Sequence, residues 1–273
     1  MFNDPPLFPA AQGATCAGIV LGWTSPILPY LQISSIEREE APITSEESSW
    51  IASLLPLGAL VGALVGGYCA DAFGRKWTIL GSAIPYFVGL ALCAISTSVA
   101  LVPYLYAGRF ISGISVGVTT TINPIYVDEI AEDSIRGALG IYLELMANTG
   151  VLWSFVVGSF APFLWFSISS AVIPVIFFGA FIWMPESPTY LIATGNELKA
   201  KNSLKWLRAL KGNENKVTWQ LTGKVLEICA RGTEFKPRSR QRFVRLPNHS
   251  FASGKVCAFT PWECVERLAP TVA

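Results

Sequence analysis

The chain has 273 residues, of which 52% are hydrophobic and only 14% charged, with a formal net charge of +1 at pH 7. A soluble domain of this size carries nearer a quarter charged residues, so composition argues against a water-dissolved globule. The near-zero charge argues against a nucleic-acid partner. The single histidine (His249) and six cysteines without a CxxC pair give neither a zinc ligand set nor the acid–base equipment of an enzyme; no metal and no cofactor are expected.

Ala10–Leu31 is uncharged and long enough to cross a bilayer. No Lys or Arg precedes it, and its length exceeds the apolar core of a signal peptide, so it reads as a retained first span. The loop 32–48 holds Glu37, Glu39, Glu40, Glu46 and Glu47 against Arg38 alone. Ser48–Ala70 is the second uncharged run. Its glycines Gly58, Gly62 and Gly66 recur every four residues, predicting a bare face for close helix contact.

Trp77–Gly108 is uncharged and breaks near Ser96-Thr97-Ser98 and Pro103. Leu145–Pro185 is also uncharged. As one helix it would be roughly 60 Å long, twice the hydrocarbon thickness, so it must fold back, most naturally at Ala161-Pro162. Six spans result, near 10–31, 49–70, 77–96, 101–126, 137–159 and 162–184. Pro26, Pro29, Pro56, Pro85, Pro124 and Pro174 lie within them and predict bends. Six spans also divide into two groups of three, as a 3+3 repeat would.

Lys/Arg bias sets orientation. Arg75 and Lys76 follow span two, and six Lys or Arg residues between Lys199 and Lys216 follow span six. Arg109 and Arg136 are expected to bracket the cytoplasmic end of spans four and five, with Asp128 and Glu129 as their partners. The amino terminus is then cytoplasmic and the acidic loop outside. Residues 185–216 predict an amphipathic cytoplasmic helix with Leu198, Leu204, Leu207 and Leu210 on one face. Residues 217–273 carry no apolar run. They include the basic stretch 238–247 and the sequon Asn248-His249-Ser250, and read as an irregular, poorly structured tail.

Gly67-Tyr68-Cys69-Ala70-Asp71-Ala72-Phe73-Gly74-Arg75-Lys76 resembles the GxxxDxxGR(R/K) loop of the major facilitator superfamily. GRFISGISVG, PIYVDEIA, RGALG and Pro185-Glu186-Ser187-Pro188 resemble its sugar-porter branch. GWTSPILPYL is similar to insect facilitated trehalose transporter-like proteins. The loop departs from the family at Ala72, often Arg there, and the motif after span six departs at Thr189, where the family carries Arg.

The resemblance implies an all-α membrane protein: the six-transmembrane-helix half of a major facilitator fold, followed by a cytoplasmic helix. It implies facilitative transport of a sugar, hexose or trehalose, by alternating access. Asp71, Arg75, Arg109, Glu129, Arg136 and Glu186 would form a cytoplasmic gating network. Glu144 stands where sugar porters usually carry a glutamine that bonds sugar hydroxyls; Asn148 and Val151 follow on its face. Thr24 stands where proton-coupled relatives carry an aspartate, which favours passive uniport, although Glu144 could itself carry a proton.

The family has twelve spans, and its second half supplies most sugar contacts. The expectation is therefore a truncated form that transports little alone, with residues from about 217 onward derived from an alternative exon, an intron or a faulty gene model. Two alternatives stay open. Half-transporters could pair with each other, or the chain could be a non-transporting regulatory or dominant-negative partner of a full-length homologue. The expected setting is the lipid bilayer of the plasma membrane.

Overall fold

The computed structural model describes residues 7–37, 44–96, 102–131 and 136–207. The expected tail, with its sequon and basic stretch, and the last turns of the predicted cytoplasmic helix lie outside the described residues. So do Cys229, Cys257 and Cys264. Nine helices occur among the described residues: α1 (Leu7–Gly22), α2 (Thr24–Glu37), α3 (Ser45–Phe73), α4 (Arg75–Ile95), α5 (Val102–Ile130), α6 (Arg136–Phe160), α7 (Phe163–Phe181), α8 (Pro188–Ala193) and α9 (Glu197–Leu207).

Six segments are long and apolar enough to cross a membrane: Pro9–Leu31, broken between α1 and α2, and the five helices α3 to α7. The fold-back after Phe160 falls at Ala161-Pro162, where proline cannot continue the α6 ladder. α3 begins at a capping box absent from the sequence reading: Thr44 N–H donates to Glu47 Oε2 at 2.8 Å and Glu47 N–H to Thr44 Oγ1 at 3.2 Å. This satisfies two of the amides that a helix start leaves bare.

The first three spans pack chiefly against the last three: α1 on α6, α3 on α5, and α4 on both α5 and α7. The stripe of Gly58, Gly62 and Gly66 is buried, as its spacing predicts. A Cβ at Gly62 would lie 2.1 Å from Ile114 O, and one at Gly117 2.0 Å from Ala59 O. The α3–α5 seam is therefore backbone on backbone. Gly18 and Gly150 make the same kind of seam between α1 and α6. Gly67 does not: a Cβ there would meet nothing within 4 Å.

The surface is inverted relative to a soluble protein. Leu60, Leu64, Ile84, Leu152 and Ile176 are exposed, while Arg109, Ser112, Ser115, Thr119 and Asn123 on α5 are buried. Exposed Phe73, Trp77 and Trp183 gather at the end of the spans that carries the α3–α4 turn. Tyr30, Trp50, Tyr104, Phe160 and Trp165 lie at the opposite end. Two such girdles are the positions aromatic rings take at bilayer interfaces. Cys16 and Cys93 are buried and unpaired, behaving as small hydrophobes.

The chain divides into two units after Ser187. In the second, α8 and α9 pack on each other. The buried face of α9 is Ala200, Ser203 and Leu204, whereas Leu198 is 75% exposed. The four-leucine face expected there is corrected: six residues at 100° each set Leu198 well away from Leu204 around the helix.

Candidate functional site

The first candidate site is the charged cluster at the α3–α4 turn. Gly74 joins the two helices at φ 103°, a backbone conformation that side-chain-bearing residues avoid. Its carbonyl accepts both the N–H and the hydroxyl of Thr78, at 3.2 and 2.8 Å. This tight turn points Arg75 back along α3. One arm of its guanidinium donates to Ala70 O at 3.0 Å and Asp71 Oδ1 at 3.2 Å; its Nε donates to Glu129 Oε1 at 3.2 Å. Asp71 is mostly solvent-exposed, whereas Arg75 and Glu129 are largely shielded. The Arg75–Glu129 pair thus carries more weight than the Arg75–Asp71 pair.

Glu186 enters from the segment after α7. Its Oε1 accepts the backbone N–H of Lys76 at 2.9 Å and of Ser187 at 3.0 Å. A carboxylate here meets the bare amides and positive dipole end of α4. Lys76 completes the exchange by donating from Nζ to Ile182 O at 2.9 Å, a cation at the carbonyl end of α7. Burial pushes the Glu186 carboxyl above its usual range, against the opposing pull of the Lys76, Ser187 and Arg75 amides and the Arg75 charge.

Two partners had no signal in the charge pattern: the Ser187 hydroxyl donates to Glu129 Oε2, and the Tyr126 hydroxyl donates to Pro185 O at 2.8 Å. Arg136 opens α6 and is half-buried.

Arg109 is not part of this cluster, and the expectation that placed it there is corrected. α5 starts where α4 has finished crossing, so Arg109, near the start of α5, lies roughly 30 Å along the helix from Glu129. It is fully buried. Its Nη1 donates to Val20 O at 3.1 Å and its Nη2 to Thr24 Oγ1 at 2.5 Å.

The expected substrate-binding residues separate into two places. Glu144 and Asn148 are exposed on α6, with Asn148 Nδ2 donating to Glu144 O at 3.0 Å. Val151 is half-buried at the α1–α6 seam, its carbonyl 3.1 Å from where a Gly22 Cβ would sit. Thr24 is held by Arg109 instead. It lines a cavity of about 390 Å³ with Leu21, Ala52, Leu55, Pro56 and Val116. Among the described residues, no group of three His, Cys, Asp or Glu side chains converges as a metal site would.

The family model described as "Sugar (and other) transporter" matches residues 10–238, past residue 217 where the tail was expected to begin. A facilitated trehalose transporter of Bombyx mori is 37% identical over 215 residues, covering 79% of this chain and 41% of that protein. A trehalose transporter of Drosophila melanogaster is 34% identical over 211 residues, covering 77% of this chain and 24% of that protein. The chain therefore spans less than half the length of these curated relatives. Among solved structures, the proton:xylose symporter of the major facilitator superfamily bound to 6-bromo-6-deoxy-D-glucose superposes with a TM-score of 0.69 at 20% identity. That match covers 85% of this chain and 55% of the symporter. An inward-open xylose transporter from E. coli gives a TM-score of 0.66 at 20% identity, covering 82% of this chain and 56% of that one.

Proposed function

From the premise that this chain belongs to the sugar (and other) transporter family, whose members are transporters and not enzymes, we propose that it forms one six-span half of a facilitative sugar carrier, with hexose or trehalose as its substrate. The two halves rock about a sugar bound near mid-membrane. Asp71, Arg75, Glu129, Arg136 and Glu186 fasten the cytoplasmic end, and the amino terminus is cytoplasmic in the plasma membrane. The named relatives, trehalose transporters, support the substrate class.

One observation carries this reading. Glu144 and Asn148 are exposed part-way along a helix long enough to cross the bilayer. A carboxylate facing hydrocarbon is costly, so this face of α6 belongs against water and protein rather than lipid. It suits a hydrated cavity shared with a second six-span unit, in which Glu144 and Asn148 exchange water for sugar hydroxyls. Val151 forms the apolar edge of the same face. Each hydroxyl that leaves water needs a replacement partner, and one face supplies only a few.

The test is uptake of radiolabelled trehalose and glucose into vesicles holding the purified chain, alone and together with a full-length relative. Little uptake by the chain alone is expected, with weak sugar binding that Glu144→Ala abolishes. Saturable uptake by the chain alone, well above empty vesicles, contradicts the half-site reading. Unchanged sugar binding by the Glu144→Ala variant contradicts the assigned face. Co-purification with the full-length relative, with suppression of its uptake, would favour the reading as a regulatory partner.

A further inference from the structure

Span one is broken at Trp23, between α1 and α2. Pro26 has no N–H to offer the carbonyl of Gly22, so the ladder fails just past the break. Carbonyls of the last α1 turn are met from other spans. Ile19 O accepts the Ser154 hydroxyl of α6 at 2.8 Å, besides the Trp23 N–H at 2.9 Å. Val20 O accepts Arg109 Nη1 from α5. The other arm of the same guanidinium takes Thr24 Oγ1, the first residue of α2. Its Cζ lies 5.1 Å from the ring centroid of Trp23, the residue at the break. One side chain thus grips the end of α1, the junction and the start of α2.

The cation is costly where it stands. Arg109 is fully buried in a span, its Nε finds no acceptor, and no carboxylate among the described residues forms an ion pair with it. A neutral side chain would join α5 to α1 at a smaller desolvation cost. What a neutral or compact group lacks is a rigid fork that reaches both sides of a gap. α2 also has the weaker hold of the two segments. It carries Pro26 and Pro29 and packs mainly on α6 and α3, whereas α1 is wedged among α5, α6 and α7. The cavity lined by Leu21, Thr24, Leu55 and Val116 lies at this same junction.

We propose that Arg109 is a positioning residue that clamps the bend in span one, holding α2 as a movable cover beside that cavity. The use of the cover in transport rests on the function proposed above; the clamp itself does not.

Hydrogen–deuterium exchange of the purified full chain in lipid nanodiscs tests it without any sugar. In Arg109→Gln the amides of residues 24–31 should exchange faster by about tenfold, while those of residues 10–20 keep their rate. Thr24→Val cuts only the α2 arm and should accelerate the same amides to a smaller degree. Thr24→Ser keeps the hydroxyl and should restore the native rate. Unchanged exchange over 24–31 in Arg109→Gln overturns the clamp, as does equal acceleration of all spans. If Arg109→Gln does not fold, Thr24→Val decides alone: faster exchange confined to 24–31 supports the clamp, and anything else overturns it.

Discussion

The carboxylate of Glu186 accepts the backbone N–H of Lys76 at 2.9 Å, joining the segment after α7 to the first turn of α4 across 110 residues of sequence. The acid acts here as a helix cap supplied from a distant part of the chain, with the Arg75 charge close enough to act on it. Its folded pKa is raised above 4.5, chiefly by burial. Between 4.5 and that raised value the folded chain holds more protons than the unfolded one. The stability this group contributes is therefore complete below the ordinary carboxylate range and is lost as pH rises through the raised pKa. Glu186→Gln keeps the oxygen that accepts both amides and never ionises. Thermal unfolding in detergent should place its Tm at or above the native one at neutral pH, with the gap closing on acidification. Glu186→Ala removes the cap and should cost about 1 kcal/mol. A gap between the native and Gln forms that widens in acid would contradict this assignment.

Arg75 and Asp71 make a contrasting pair. Arg75→Gln breaks the shielded bond to Glu129 and strips Ala70 O of a donor. A loss of about 1.5–3 kcal/mol is expected, as for hydrogen bonds to charged groups. Asp71→Asn touches a side chain that is 80% exposed, and such pairs contribute well under about 1 kcal/mol. Chemical unfolding of the two variants in one detergent should rank them in that order. The reverse order would mean that the exposed pair, not the Glu129 pair, holds the turn.

The α3–α5 seam predicts an opposition between neighbouring glycines. Gly62→Ala drives a methyl to 2.1 Å from Ile114 O, whereas Gly67→Ala enters open space. Backbone cannot move aside as a flexible side chain can, so Gly62→Ala should cost about 2–3 kcal/mol, the upper range for overpacking. Gly67→Ala should be neutral, or stabilising by about 0.5 kcal/mol through helix propensity. Both changes are single methyl groups on one helix, and Tm measurements separate them directly.

These residues also show what the sequence could and could not disclose. The six spans and the turn at Ala161-Pro162 were legible because a bilayer demands long uncharged runs and proline stops a ladder. The glycine stripe was legible because its period of four keeps one face in register. Gly67, one residue past the stripe, faces open space, and its loop motif does not tell which way the helix turns it. Arg109 was misassigned because charges adjacent to an apolar run look alike from either end; only the direction in which α5 crosses separates it from Glu129. Ser187 and the Lys76 amide gave no warning at all, since a hydroxyl and a backbone N–H leave no mark in a charge pattern. The split of the candidate substrate residues has a related cause. Helical spacing relates Glu144, Asn148 and Val151 to one another but is silent about Thr24 on another span.

Glu144 and Asn148 offer the sharpest separation of function from folding. Both side chains are exposed, and Asn148 donates to the backbone of its own helix. Glu144→Ala and Asn148→Ala should therefore leave stability within about 0.5 kcal/mol of the native chain, as surface substitutions do. If their face meets a sugar, the same changes should remove its hydrogen bonds and weaken binding, each lost bond to a charged acceptor costing about 1.5–3 kcal/mol, or roughly tenfold or more in affinity. Glu144→Gln should then retain part of the binding, because an amide oxygen still accepts from a hydroxyl. Equilibrium binding of labelled trehalose and glucose, set beside Tm for each variant, reads both quantities. Lost binding at unchanged Tm would place the sugar on this face of α6. Lost stability would instead mean that Glu144 supports the bundle, and unchanged binding would move the sugar elsewhere.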